Sequence, residues 1–233
     1  MGDSVFGRIW NAIKPPPSVH DPNAPPKGMN PTQKRLVWGT TTIVVLGLAG
    51  WQIYAYTASA QQRAQNAFDQ GMLKMTPGHY QEAIDLFSKA ADIYPQLGAA
   101  YLERGNAENI AGRKEAAFAD YEKAIAVSNL APAFTARGLI YLGKGDAKHA
   151  EQDFKSSIGI DPTSDAYYQL GQILDHRGEH APAIEYYDQA IHIQPDAPYI
   201  YRARSEAKRA MGDEQDAIVD RNEAISREHR IHP

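Results

Sequence analysis

The spacing of apolar and polar positions divides the chain into three stretches. From Leu36 to Tyr56, LVWGTTTIVVLGLAGWQIYAY, there is no charged residue, and Lys34 and Arg35 stand immediately before it. At a rise of about 1.5 Å per residue this run matches a hydrocarbon core of roughly 30 Å, which predicts a transmembrane helix over 34–57. Trp38 near one end and Trp51, Tyr54 and Tyr56 near the other suit the headgroup regions. The alternative is an apolar core helix, which seldom runs this far without charge. Ahead of the run, Val5, Phe6, Ile9, Trp10 and Ile13 share one helical face over residues 1–14. Two readings stand for this arm: an amphipathic helix in the membrane interface or a partner's groove, and a frayed terminus, which Gly7 favours. Pro15, Pro16 and Pro17, then Pro22, Pro25, Pro26 and Pro31, predict an extended, semi-rigid linker over 15–33.

Beyond a helical connector at 58–63 the pattern repeats. Gly71, Gly105, Gly138 and Gly171 recur at intervals of 34, 33 and 33, with Ser205 in the fifth equivalent place. Twelve residues later stand Ala83, Ala117, Ala150, Ala183 and Ala217, and seven further on Ala90, Ala124, Ser157, Ala190 and Ala224. Between these two sets sit Phe87, Tyr121, Phe154, Tyr187 and Arg221, and a further glycine marks a turn in each unit at 78, 112, 145, 178 and 212. Small residues let two helices approach closely while the aromatic fills the groove beside them, so each unit reads as an antiparallel helix pair. The turn glycine ends the first helix, and Pro95, Pro162 and Pro195 close three units.

These positions resemble the tetratricopeptide repeat family over about residues 64–231, in units of about 64–97, 98–130, 131–163, 164–197 and 198–231. The resemblance implies an all-α protein, here a single transmembrane helix followed by a right-handed α-solenoid of about five helix pairs. It also implies a concave groove that binds peptides or protein surfaces, and no enzyme. The fifth unit departs with Ser205, Arg221 and His229 in place of glycine, aromatic and proline, and a polar Arg221 suits an end unit with no neighbour to pack against.

The first helix of each unit is expected to line that groove. Spacing puts Phe68, Met72 and Met75 there, then Leu102, Asn106 and Asn109, then Thr135, Leu139 and Leu142, then Tyr168, Gln172 and Asp175, and last Arg202, Glu206 and Arg209. The lining changes from apolar to polar along the array, which fits an extended partner segment with its apolar part nearest the bilayer. The alternative for each residue is a place in the core between repeats, because the first helix contributes to both surfaces. Relatives that clamp the C-terminal carboxylate of chaperones use lysine and asparagine in the first repeats; Phe68 and Met72 occupy the corresponding places here, which disfavours a heat-shock co-chaperone.

Charge sharpens the topology. Residues 1–63 carry six lysines and arginines against two aspartates, so the chain's total of −4 leaves −8 for the remainder. That excess of acid repels a phosphate backbone and speaks against nucleic-acid binding. Five basic residues precede the span, so the positive-inside bias predicts a cytoplasmic N-terminus and repeats on the far side, the periplasm in a bacterium. Ala58-Ser59-Ala60 has the form of a signal-peptidase site, but the polar region before it is too long and the apolar run exceeds the usual length, so an uncleaved anchor is the reading taken. On a helical wheel Gly39, Thr40, Gly47 and Gly50 gather on one side, which suits packing against another membrane helix, though without GxxxG spacing a plain anchor is the alternative. From Trp51 to Gln70 neither glycine nor proline occurs, so the span is expected to run directly into the first repeat helix.

Catalytic chemistry finds little support. There is no cysteine, no phosphate-binding glycine loop and no paired nucleophile and base, and no cofactor is expected. His176 and His180 have the spacing of a helical metal pair, but Gly178 lies between them at a turn, so they are read as surface histidines, as are His229 and His232. The expected function is a membrane-anchored, non-enzymatic scaffold, an accessory or assembly subunit of an integral membrane protein complex. The alternative is a membrane-tethered chaperone that holds translocating or unassembled polypeptides.

Overall fold

The computed structural model describes residues 51–52 and 56–231. The arm, the linker and most of the predicted span, including Gly39, Thr40, Gly47 and Gly50, lie outside the described residues. Among those described, no helix is long and apolar enough to cross a membrane. The chain divides into two units between Thr57 and Ala58, and the second, Ala58–Pro233, holds the repeats.

Ten helices carry the described part of the array. Helix α1 covers 56–73, and α2 is Tyr80–Ile93. Four more pairs follow: α3 (Gly98–Ile110) with α4 (Lys114–Ser128), α5 (Ala131–Gly143) with α6 (Ala147–Ile160), α7 (Ser164–His176) with α8 (His180–Ile193), and α9 (Pro198–Ala210) with α10 (Glu214–Ile231). The expected helix from Trp51 to Gln70 is unbroken from 56 onward, while positions 53–55 lie outside the described residues.

One turn geometry closes the first helix in repeats two to five. Gly112 has φ 81° and donates its N–H to Asn109 O, while Arg113 N–H reaches back to Glu108 O; Gly145, Gly178 and Gly212 repeat the pattern at φ 77°, 79° and 86°. A side chain in this left-handed region costs about 1–2 kcal/mol, so glycine holds all four places.

The packing explains the small and aromatic positions together. A Cβ at Gly71, Gly105, Gly138 or Gly171 would stand 2.6, 2.8, 2.9 or 2.5 Å from the ring of Phe87, Tyr121, Phe154 or Tyr187. Each ring thus lies flush against the backbone of its partner helix, and all four are fully buried. The fifth pair solves the same contact with polar groups: Ser205 donates its hydroxyl to Ala217 O at 2.7 Å, and Arg221 is exposed.

Successive repeats join where the second helix of one packs on the first helix of the next, as α4 on α5 and α6 on α7. First helices also touch one another, α3 with α5 and α7 with α9, so they share one surface. Arginine–aspartate pairs tie the two helices of a repeat together, and the same arginines reach the preceding repeat. Arg104 forks onto Asp120 at 2.6 and 2.5 Å and also donates to Ser88 of the preceding repeat at 3.1 Å. Arg137 does the same with Asp153 at 2.9 and 2.8 Å, and Arg204 with Asp220 at 2.8 and 2.6 Å while also reaching Asp188. Asp120, Asp153 and Asp220 are buried, which raises the strength of the pairs and the cost of losing either partner. The fourth repeat has buried Leu170 in the arginine position and Tyr186 in that of the aspartate.

Candidate partner-binding groove

The aligned first helices carry the residues that spacing assigned to the groove, and the structure sorts them into three groups. Leu102 is buried at 8% exposure, and half-buried Phe68, tilted against Phe87 of its own repeat at 5.5 Å, packs on the same core cluster, so these two belong to the joint between the first two repeats. Their position lies one helical turn before the glycine, on the side that meets the neighbouring core. Met72 and Leu139, one residue after the glycine, are open to solvent at 44% and 46%.

A second group is held in place by hydrogen bonds. Asn106 accepts from the Tyr121 hydroxyl at 3.0 Å and donates to Glu103 at 3.1 Å. The hydroxyls of Thr135 and Ser157 are 2.8 Å apart, and Gln172 donates to the Tyr168 hydroxyl at 2.8 Å. Burial raises the phenol pKa of Tyr121 to about 12 and moves those of Tyr168 and Tyr187 upward, so all three remain neutral hydrogen-bonding groups at ordinary pH. Asp175 is bound to His180 Nδ1 at 2.6 Å. His176 closes α7 and donates Nδ1 to Gln172 O, whereas His180 opens α8, so the two histidines stand on different helices.

The remaining positions line clefts with their neighbours. Asn109 and Leu139 share one of about 390 Å³ with Ile140, Lys114 and Lys144. Leu142 and Gln172 share another of about 270 Å³ with Ile173 and Arg177. Arg202, Glu206 and Arg209 border a third of about 310 Å³, closed by Ser205, Arg221 and Ile225. Met75 is half-buried beyond the end of α1. Sequence spacing missed the part of Arg221 in this last cleft, because it was read only as a polar cap. The signal was its register with four aromatics, since a ring replaced by an exposed side chain leaves a space.

Family comparison decides what kind of array this is. Sequence models described as tetratricopeptide repeat match residues 68–132, 131–164 and 164–197. The chain belongs to the tetratricopeptide repeat family. A human relative, "Tetratricopeptide repeat protein 6", is 30% identical over 129 residues, 55% of this chain. The chain spans a quarter of the length of that relative. Among solved structures, one titled "Crystal structure of MamA" is 25% identical with a TM-score of 0.61 and covers 69% of this chain and 95% of its own. MamA from Desulfovibrio magneticus RS-1, at 17% identity and TM-score 0.62, covers 73% and 98%. Pseudomonas aeruginosa pilF, at 16% identity and TM-score 0.66, covers 72% and 78%. These last two show a shared fold. Tetratricopeptide repeat domains bind protein partners or peptides, and the helices that carry the candidate residues here are the first helices of the pairs.

Proposed function

We propose that the chain is a membrane-anchored tetratricopeptide repeat scaffold that holds an extended segment of a partner protein along its first helices, as an accessory or assembly subunit of a membrane complex. The observation that carries this reading is the row of clefts along the first helices: two join successive first helices, Asn109 with Leu139 and Leu142 with Gln172, and a third, bordered by Arg202, Glu206 and Arg209, lies within the fifth repeat. The charge-free run Leu36–Tyr56 and the basic residues ahead of it support the anchor and a repeat unit on the non-cytoplasmic side. Exposed Met72 in the first repeat supplies an apolar contact at the anchor end, which fits a partner segment that emerges from the same bilayer.

Purification of the full chain from native membranes in mild detergent tests the assembly. One membrane protein in fixed stoichiometry is expected; a monomer alone, or many weakly held clients as a chaperone would show, overturns it. Protease added to intact spheroplasts is expected to degrade the repeats, and full protection would reverse the topology.

A further inference from the structure

The fifth repeat differs from the others at the two positions that fill the inside of a helix pair, and this difference creates a site. In repeats one to four a ring seals the space against glycine. In the fifth, Ser205 turns its hydroxyl to Ala217 O and Arg221 stands exposed, which leaves the cleft of about 310 Å³ between α9 and α10. Three guanidinium groups border it. Arg202 is paired with Glu228, but the guanidinium groups of Arg209 and Arg221 have no ion-pair or hydrogen-bond partner among the described residues. The only other charge in the cleft is Glu206. Within the fifth repeat Asp220, Glu223 and Glu228 are already taken up by Arg204, Lys208, Arg227 and Arg202, which leaves the Arg209 and Arg221 guanidinium groups open to an outside carboxylate. Ile225, 42% exposed, supplies an apolar wall beside them.

We infer that this cleft is a subsite for an acidic side chain of the partner segment, an aspartate or glutamate held between Arg209 and Arg221 with an adjacent apolar residue against Ile225. The inference rests on the groove reading above and names the chemistry of one end of its occupant. Planar guanidinium groups present paired N–H donors that match the two oxygens of a carboxylate. The cleft is partly enclosed by α9 and α10, where a charged pair is stronger than on open surface. The site arises from the missing ring of the last repeat, and it owes nothing to first-repeat residues.

Selection of phage-displayed random decapeptides on the full chain in detergent micelles, run in parallel on R209Q/R221Q, tests the subsite. Wild-type selections are expected to enrich aspartate or glutamate at a fixed offset from an apolar residue. An amidated synthetic copy of one winner is expected to bind about tenfold more weakly when its acid is changed to the amide, and similarly weakly to R209Q/R221Q. The charge-reversed R209E/R221E is expected to select lysine or arginine at the same offset, a gain that misfolding could not produce. Apolar enrichment without acid would overturn the subsite and leave the groove standing. The same acid preference in R209Q/R221Q would overturn its location. Absence of any enrichment would overturn both groove and subsite.

Discussion

The second and fifth repeats share a plan, and three of the matched positions at which they differ are instructive. In the second, Gly105 meets the ring of Tyr121, and Glu108 lies beside the Arg104–Asp120 pair. In the fifth, Ser205 and Arg221 replace glycine and ring, and Lys208 takes the place of Glu108, 3.0 Å from Asp220. The second repeat is sealed by apolar packing yet holds a poorly placed carboxylate, since one oxygen of Glu108 is buried without a partner. The fifth gives up the ring and gains a satisfied ionic cluster and an open cleft. One helix pair can therefore be built as a core or as a site, and two side chains decide which.

The largest effect should come from a sealed repeat. Phe154→Ala removes a fully buried ring that touches Gly138, and a loss of about 3–5 kcal/mol is expected, read by chemical denaturation of the full chain. Gly171→Ala forces a methyl to within 2.5 Å of the Tyr187 ring and should cost about 1–3 kcal/mol despite alanine's better helix propensity. A more stable variant would show that the ring can move aside.

Converting the fifth repeat to the sealed form sharpens the contrast. Ser205→Gly with Arg221→Phe should bury a ring worth about 1.5–3 kcal/mol, less about 1 kcal/mol for glycine in a helix. A small gain in melting temperature is expected, together with loss of acidic-peptide selection. Glu108→Lys, which copies the fifth repeat into the second, should have the smallest effect, about 0.5–1 kcal/mol at neutral pH. Burial first, and then the neighbouring Asp120 charge, raise the Glu108 carboxyl above its ordinary pKa of 4.5. Stability from the protonated form is therefore present below about 4.5 and lost as pH rises through the raised value. Asp220 has the opposite sign: burial pushes its carboxyl up, but Arg204 and Lys208 outweigh it and hold it below 3.8, so its contribution is lost as the pH falls below that value. Stability measured between pH 4 and 7 should fall more steeply with pH in the wild type than in Glu108→Lys; equal slopes would remove Glu108 from the account.

The repeat plan was legible because small residues and rings recur at 33 or 34 positions, and such a contact can be made only by a paired helix. The groove was less so. Phe68 and Leu102 have the right spacing to line it, yet the first helix must also pack against a neighbouring repeat, and these two apolar side chains go to that joint. The ionic joints escaped notice although Arg104, Arg137 and Arg204 each precede the small residue by one and an aspartate by sixteen. A reading based on apolar periodicity passes over charges, and only packing shows that these carboxylates are buried.

Leu170 gives the array a seam. Where arginines at the flanking joints reach across to Glu122 and Asp188 of the preceding repeat, the contact between the third and fourth repeats relies on apolar burial and the exposed Arg177–Glu151 pair. Apolar attraction weakens on cooling, whereas ion pairs have no such dependence on hydration of hydrocarbon. Near freezing, the solenoid should come apart from the middle, into a block of three repeats and a block of two, before its ends fray. A partner segment lying across both blocks would act as a splint.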